Sequence, residues 1–105
     1  MTEQRESRTF EVESEEAAAL LSDVESLRFL APFLGHERTL SGVAAELGAP
    51  ISTVYRRVQR FVALGLAQVT KESARKGRAL KHYRCVADAF FVPVQLAPHA
   101  VADGA

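Results

Sequence analysis

The sequence predicts a small, mainly α-helical domain with one β-hairpin. Apolar residues recur at helical spacing in two adjacent segments, residues 40–47 and 51–64, which are separated by Gly48-Ala49-Pro50. Gly65 ends the second segment, and two short stretches of alternating apolar and polar residues then flank a basic loop. Two helices joined by a tight turn and followed by a hairpin predict a winged helix-turn-helix.

The segment before this pair predicts a short strand and two helices. Residues 9–12 alternate between polar and apolar and predict the strand. Ser14 is a good N-cap for a first helix, because acidic residues follow it in the first turn. Asp23 is expected to cap a second helix, which Pro32 kinks or limits. The expected apolar face of that second helix is Val24, Leu27, Leu30, Ala31 and Leu34.

The spacing within the two central helices predicts which side chains are buried. Thr39 is expected to cap the first of them. In the second, apolar side chains at i, i+4, i+7 and i+8 form the expected buried stripe of Val54, Val58, Phe61 and Val62. The polar residues between them are expected to point mostly outward: Ser52, Thr53, Arg56, Arg57 and Arg60.

The hairpin is expected to have a basic tip. Its loop is predicted over residues 73–79 and contains Gly77, with Arg75, Lys76 and Arg78 exposed. Cys85 falls on an inward-facing strand position, where a free cysteine usually acts as a small buried hydrophobe. The apolar run at residues 90–92 is expected to close the core or contact a second subunit, in preference to binding an effector.

Length and composition predict one small domain. The 105 residues divide into an expected N-terminal arm (1–13), a winged helix-turn-helix domain (14–94) and a flexible C-terminal tail (95–105). No apolar run approaches the roughly 20 residues that span a bilayer, and the N-terminus has no apolar signal core. The lone cysteine excludes a disulfide framework. We therefore expect a cytoplasmic protein without membrane contact.

Opposite charges are concentrated in different parts of the chain. The whole sequence has 13 basic and 13 acidic residues. Residues 51–84 contain nine basic residues and one acidic residue, whereas residues 1–25 contain eight acidic and two basic residues. A basic cluster that coincides with a projecting helix and a hairpin is typical of a surface that binds phosphate. The alternative, a solvated charged surface, is less favoured because of that coincidence.

The pattern Leu40-x-x-Val43-Ala44-x-x-Leu47-Gly48 is followed by Thr53-Val54-x-Arg56-x-Val58-x-x-Phe61-x-x-x-Gly65-Leu66. Together with Arg28, Gly77-Arg78 and Tyr83, it resembles the ArsR-like winged helix-turn-helix regulators over roughly residues 14–94. The resemblance implies a dimeric bacterial transcription factor. It also implies that the helix over 51–64 contacts DNA bases and that the hairpin over 66–86 is the wing.

Two features depart from that family. Its founding members sense metals through paired cysteines or clusters of His, Asp and Glu. This chain has one cysteine and three scattered histidines, so we expect no metal and no cofactor. Family members usually end in a dimerisation helix after the wing, a region that Pro93 and Pro98 interrupt here. Either the sequence is a truncated piece of a longer chain, or the protein dimerises through its N-terminal helices.

These observations predict a sequence-specific regulator of transcription that binds double-stranded DNA. We expect a homodimeric repressor whose signal is unknown, with a small-molecule effector as one candidate. Base contacts are assigned to Ser52, Thr53 and Arg56. Phosphate contacts are assigned to Arg57, Arg60, Arg75, Lys76 and Arg78. No catalytic motif occurs, so no enzyme is expected. The alternative function is a winged-helix module that binds proteins.

Overall fold

The computed structural model describes residues 8–96. These residues form five strands and four α-helices: β1 (Thr9–Glu11), α1 (Glu15–Leu21), α2 (Val24–Leu30), β2 (Arg38–Thr39), α3 (Leu40–Leu47), α4 (Ile51–Ala63), β3 (Ala67–Arg75), β4 (Arg78–Cys85) and β5 (Ala89–Phe91). Short 3₁₀ turns follow α2 (Ala31–Phe33) and β5 (Val94–Leu96). Residues 1–7 of the predicted arm and residues 97–105 of the predicted tail lie outside the described residues.

The strands form two small sheets within this part of the chain. The antiparallel sheet has the order β2-β4-β3, and its β3–β4 hairpin is the wing. The second sheet pairs β1 with β5 in parallel, with Phe10 opposite Phe90. The winged helix-turn-helix architecture is confirmed. The description "mainly α" is overstated, because the wing strands are nine and eight residues long and three further strands are present.

The wing turns more tightly than the sequence predicts. Arg75 pairs with Arg78, and the turn consists of Lys76 (φ 52°) and Gly77 (φ 78°). Two successive positive φ values define the hairpin turn whose twist matches that of the flanking strands. The predicted loop over residues 73–79 was therefore wrong, because polar residues in an exposed hairpin continue the backbone ladder.

Three helices begin at the predicted capping residues. The side-chain oxygens of Ser14, Asp23 and Thr39 each accept a hydrogen bond from the backbone N–H three residues later, at 3.0, 2.9 and 3.1 Å. These bonds satisfy N–H groups that have no partner within the helix. The starts of α1, α2 and α3 are thus determined locally.

The core lies between the helices and the inner face of the wing. Its largest fully buried side chains are Phe33, Phe61, Leu66, Val12, Val43, Val54 and Val58. The stripe predicted for α4 is confirmed, since Val54, Val58 and Phe61 are fully buried and Val62 is half-buried. One stripe of α4 is thus fixed in the core, and the opposite stripe is left at the surface.

The buried face of α2 differs from the predicted one. Ser26, Phe29 and Leu30 are buried, and Phe33 of the following 3₁₀ turn continues that face. Of the expected apolar face, Leu30 is buried as predicted, whereas Val24 is 81% exposed and Leu27, Ala31 and Leu34 are also exposed. Two apolar stripes compete on this short segment, and the stripe with two aromatic rings buries the larger area. Pro32 lies in the 3₁₀ turn, where the α-helix has already ended.

The apolar run after the wing contributes to core closure. The N–H of Val12 donates to the carbonyl of Phe91 at 2.9 Å, which extends the β1–β5 pairing. Phe90 and Val92 pack partly buried against the core, and Phe10 meets Phe90 edge to face. Phe91 points outward and is 54% exposed. Closure of the core, one of the two expectations for residues 90–92, is therefore observed.

The cap of α2 predicts a pH dependence of stability. The backbone N–H and the hydroxyl of Ser26 donate to the Asp23 carboxylate and, with a smaller contribution from Arg57, hold the pKa of Asp23 below its usual value. Because the folded-state pKa is lowered, the resulting stabilisation is present above the unfolded-state pKa and is lost as the pH falls. Asn caps helices about as well as Asp and does not titrate. We expect Asp23→Asn to lower the dependence of the thermal midpoint on pH between pH 7 and pH 3.

The matched control for this measurement is Glu37→Gln, which changes an exposed carboxylate outside any helix cap. It should leave the acid dependence of the thermal midpoint close to that of the parent protein. Equal acid dependence in Asp23→Asn and the parent would show that the cap does not link folding to protonation.

Candidate nucleic-acid interface

The turn between α3 and α4 makes α4 project. Gly48 adopts a left-handed conformation (φ 65°), and the N–H of Ala49 donates to the carbonyl of Ala44 at 3.0 Å. A glycine in this conformation after the last helical turn ends α3 without strain. Pro50 then supplies an extended N-cap position with φ −63°, from which α4 begins. The short turn fixes the angle between the two helices.

The outward face of α4 contains the predicted base-contacting residues. Ser52 and Arg56 are exposed and lie one turn apart, on the side opposite the buried Val54–Val58 stripe. Thr53 is half-buried at the edge of this face. The structure therefore brings Ser52 and Arg56 together on one accessible surface and places Thr53 beside them.

Tyr55 and Gln59 extend this surface toward the wing, although the sequence pattern did not single them out. Tyr55 is 54% exposed, and Gln59 is half-buried one turn further along α4. Their positions next to Arg56 and Arg60 in the helical pattern were the available signal. Tyr55, Gln59 and Lys81 line a groove between α4 and the wing, which also contains the exposed apolar side chains of Ile51 and Val69. We call it the α4–wing groove.

Two of the predicted phosphate-binding residues face the N-terminal helices. Arg60 is an exposed side chain that forms an ion pair with Glu16 of α1. Arg57 is half-buried; its Nη1 donates to Ser26 Oγ at 3.2 Å, and its guanidinium lies 4.9 Å from the centre of the Phe29 ring. Arg60 is thus at the surface with one carboxylate partner, whereas Arg57 is engaged with α2.

The wing tip has exposed cations next to Ala79 and Leu80, which line the α4–wing groove. Lys76 and Arg78 are exposed. The backbone of Arg75 lies opposite that of Arg78 in the ladder. The predicted cationic residues therefore form two groups, one on α4 and one at the wing tip.

The described residues also bear on metal binding, membrane insertion and the reactivity of the single thiol. Within residues 8–96, no three side chains of His, Cys, Asp or Glu lie close enough together to hold a metal ion. No helix in this range is long and apolar enough to cross a membrane. Cys85 is buried, as predicted, and removal from water raises the pKa of its thiol to about 12.

Comparison with solved structures identifies the same fold in another protein. The chain is similar to a winged helix-turn-helix DNA-binding domain from Mycobacterium bovis, determined in solution by NMR and described as homodimeric and as part of a possible ArsR-family transcriptional regulator. The TM-score is 0.55 at 17% identity, over 86% of this chain and 75% of that chain. No protein-family model matches the sequence, and no curated protein is significantly similar to it. The predicted winged helix-turn-helix fold is thus confirmed.

The environment of Cys85 predicts slow thiol chemistry. The thiol is buried and protonated at pH 8, and a thiolate is the reactive form. We expect 5,5′-dithiobis(2-nitrobenzoate) to modify the folded protein at pH 8 more than about a hundredfold more slowly than the protein in denaturant, since modification requires local opening. Cys85 is the only cysteine of the sequence, so the absorbance change reports one site. Rapid modification of the folded protein would show that the thiol is accessible.

Proposed function

We propose that this protein is a sequence-specific regulator of transcription that binds double-stranded DNA as a homodimer. The observation that supports this most directly is the exposed face of α4, where Ser52 and Arg56 lie one turn apart on a projecting helix. The width of the major groove accommodates an α-helix presented in this way. The fold shared with a DNA-binding domain supports the same assignment.

In this proposal α4 contacts base edges. Arg56 is assigned to guanine, whose two major-groove acceptors match the guanidinium fork. Ser52 and Thr53 supply hydroxyl groups near the N-terminal end of the helix, which is the part of a recognition helix that approaches the bases. Tyr55 and Gln59 extend the contact surface toward the wing.

Phosphate contacts are assigned to Arg60 on α4 and to Arg75, Lys76 and Arg78 of the wing. Arg60 would exchange its exposed partner Glu16 for a DNA phosphate, and an exposed ion pair of this kind is worth only about 0–1 kcal/mol. The wing would contact the backbone beside the groove that α4 enters. These contacts fix the position of the protein on DNA, while α4 supplies specificity.

A second copy of the chain is proposed to cover the exposed apolar side of α2. Leu27 and Leu34 line a groove with side chains of α1 and β5, and we call it the α2–β5 groove: Leu21, Leu27, Leu30, Ala31, Leu34, Phe90 and Val92. Val24 adds a further exposed apolar side chain on α2. No residue of α4 lines this groove, so pairing here would leave α4 of both copies free to contact DNA. The homodimeric state of the similar domain supports the choice of occupant.

In this proposal, the protein represses transcription by occupying promoter DNA. A dimer that covers promoter DNA competes with the transcription machinery, and a signal that weakens DNA binding relieves the block. We propose a small molecule as that signal.

A protein-binding module is the second candidate function. It is favoured by the exposed apolar side chains in the α4–wing groove, where Ile51 is 52% and Val69 is 41% exposed. The two functions differ in the response to salt, because binding to duplex DNA weakens steeply with added salt as counterions are released. Failure to enrich any duplex sequence from a random library would favour the protein-binding module.

Base and phosphate contacts predict different effects of mutation. The selected duplex from a random library serves as the specific site. Arg56→Ala should lose about 1–3 kcal/mol on this site and much less on random DNA. Lys76→Asn with Arg78→Gln should weaken binding to both DNAs alike. It should also reduce the slope of log affinity against log salt by about two, because binding releases about one counterion fewer for each cation that is removed. Asn is chosen at position 76 because it tolerates the positive φ.

Fluorescence anisotropy on both duplexes at several salt concentrations measures these effects. All three side chains are exposed, so circular dichroism should show that both variants remain folded. Equal losses of affinity for specific and random DNA in Arg56→Ala, together with a loss of discrimination in the wing variant, would reverse the two roles.

The dimer contact predicts a change of mass. Val24→Glu with Leu27→Lys places charges on exposed positions of α2 and should yield a monomer, because a dimer interface would have to bury them. Sedimentation equilibrium without DNA measures the mass. Val69→Glu is the matched control, since it changes an exposed apolar residue outside the α2–β5 groove and should leave the dimer intact. A dimer that persists in the α2 variant would place the interface elsewhere.

A further inference from the structure

The buried ring of Phe29 contacts two arginine side chains from different helices. The guanidinium carbon of Arg28 lies 5.1 Å from the ring centre, and that of Arg57 lies 4.9 Å from it. Phe29 is only 3% exposed, so both cation–π contacts are made by a ring fixed in the core. Each arginine then connects α2 to a different helix of the helix-turn-helix.

Arg28 connects α2 to the end of α3. Its Nη2 donates to the backbone carbonyl of Leu47, the last residue of α3, at 2.9 Å. The last carbonyls of a helix have no partner within it and carry partial negative charge, so a cation is favourable there. Nη1 of Arg28 also donates to Glu25 at 3.0 Å, which holds the side chain across the surface of α2.

Arg57 connects α2 to the middle of α4. Its Nη1 donates to Ser26 Oγ at 3.2 Å, and Ser26 Oγ in turn donates to the Asp23 carboxylate at 2.9 Å. Ser26 is a buried polar residue, so both of its hydroxyl hydrogen bonds compensate for its removal from water. Arg57 thus completes a chain of polar contacts that begins at the cap of α2.

We propose that Arg57 is a positioning residue, which with Arg28 and the ring of Phe29 fixes the orientation of the recognition helix, and that it makes no phosphate contact. The inference rests on the proposed DNA binding. A guanidinium that moved to a phosphate would leave the Phe29 ring and remove a hydrogen bond from the buried Ser26 hydroxyl. Arg57 also lies about 100° around α4 from Arg56, away from the outward face.

Salt dependence separates this role from a phosphate contact. Arg57→Gln removes the charge and the stacking group. Because the number of counterions released on binding stays the same, it should leave the slope of log affinity against log salt unchanged, while discrimination between the selected duplex and random DNA falls about tenfold as Arg56 loses its alignment. Arg60→Gln is the matched control, one turn along α4, and should reduce the slope by about one. A slope reduced by about one in Arg57→Gln would overturn the proposal.

A conservative variant and a double-mutant cycle complete the test. Arg57→Lys keeps the charge but lacks a planar group that can stack on a ring and donate several hydrogen bonds in a fixed geometry. Discrimination between the selected duplex and random DNA should therefore remain as low as in Arg57→Gln. If Arg57 contacted a phosphate, the lysine would restore binding. Phe29→Leu keeps apolar bulk and removes the ring. When Phe29→Leu is already present, Arg57→Lys should change discrimination by less than a third of the change that it causes in the parent protein. If the effects of the two substitutions are additive instead, the ring does not couple them.

A measurement without DNA keeps the outcome independent of the proposed function. Protons of the Arg57 side chain should be shifted upfield in the NMR spectrum by the Phe29 ring, and the shift should disappear in Phe29→Leu. If the parent protein bound no duplex, the proposed function would fail, while this shift would still report the contact. Absence of the upfield shift in the parent would overturn the positioning role itself.

Discussion

Burial of one stripe of α4 is the constraint on which the rest of the interface depends. Val54, Val58 and Phe61 are fully buried, so rotation of α4 would expose apolar area that is worth about 25 cal/mol per Å². The same stripe fixes the opposite face, where Ser52 and Arg56 lie. The core therefore sets which side of α4 faces outward, and the proposed contact of Arg57 with α2 would hold the helix in that orientation.

Helix α2 has two apolar sides, one buried in the core and one exposed. Phe29 and Leu30 pack into the core, and Phe29 also contacts arginines that reach both helices of the helix-turn-helix. Leu27 and Val24 remain exposed on the other side. A partner on that exposed side would contact α2, the helix that contains Arg28 and that Arg57 of α4 contacts. The proposed dimer contact and the proposed positioning contact would thus share α2.

The basic cluster of the sequence is divided by the fold into groups with different surroundings. Lys76 and Arg78 are exposed at the wing tip, Arg56 is exposed on α4, and Arg60 is balanced by Glu16. Arg57 is half-buried against Phe29 and Ser26. Glu16 of α1 and Asp23, the cap of α2, therefore lie beside the arginines of α4. A chain with equal numbers of basic and acidic residues can therefore still have a strongly charged local surface.

Local chemistry and periodicity determined much of this protein from the sequence alone. The caps at Ser14, Asp23 and Thr39, the left-handed Gly48 and the buried stripe of α4 depend on neighbours within a few residues, so they could be predicted. Tertiary structure decided which stripe of α2 is buried, where Arg57 points and how residues 89–91 pair with β1. Each of these outcomes depends on residues far apart in the chain, because an apolar stripe or a long cationic side chain fits several surroundings until packing selects one.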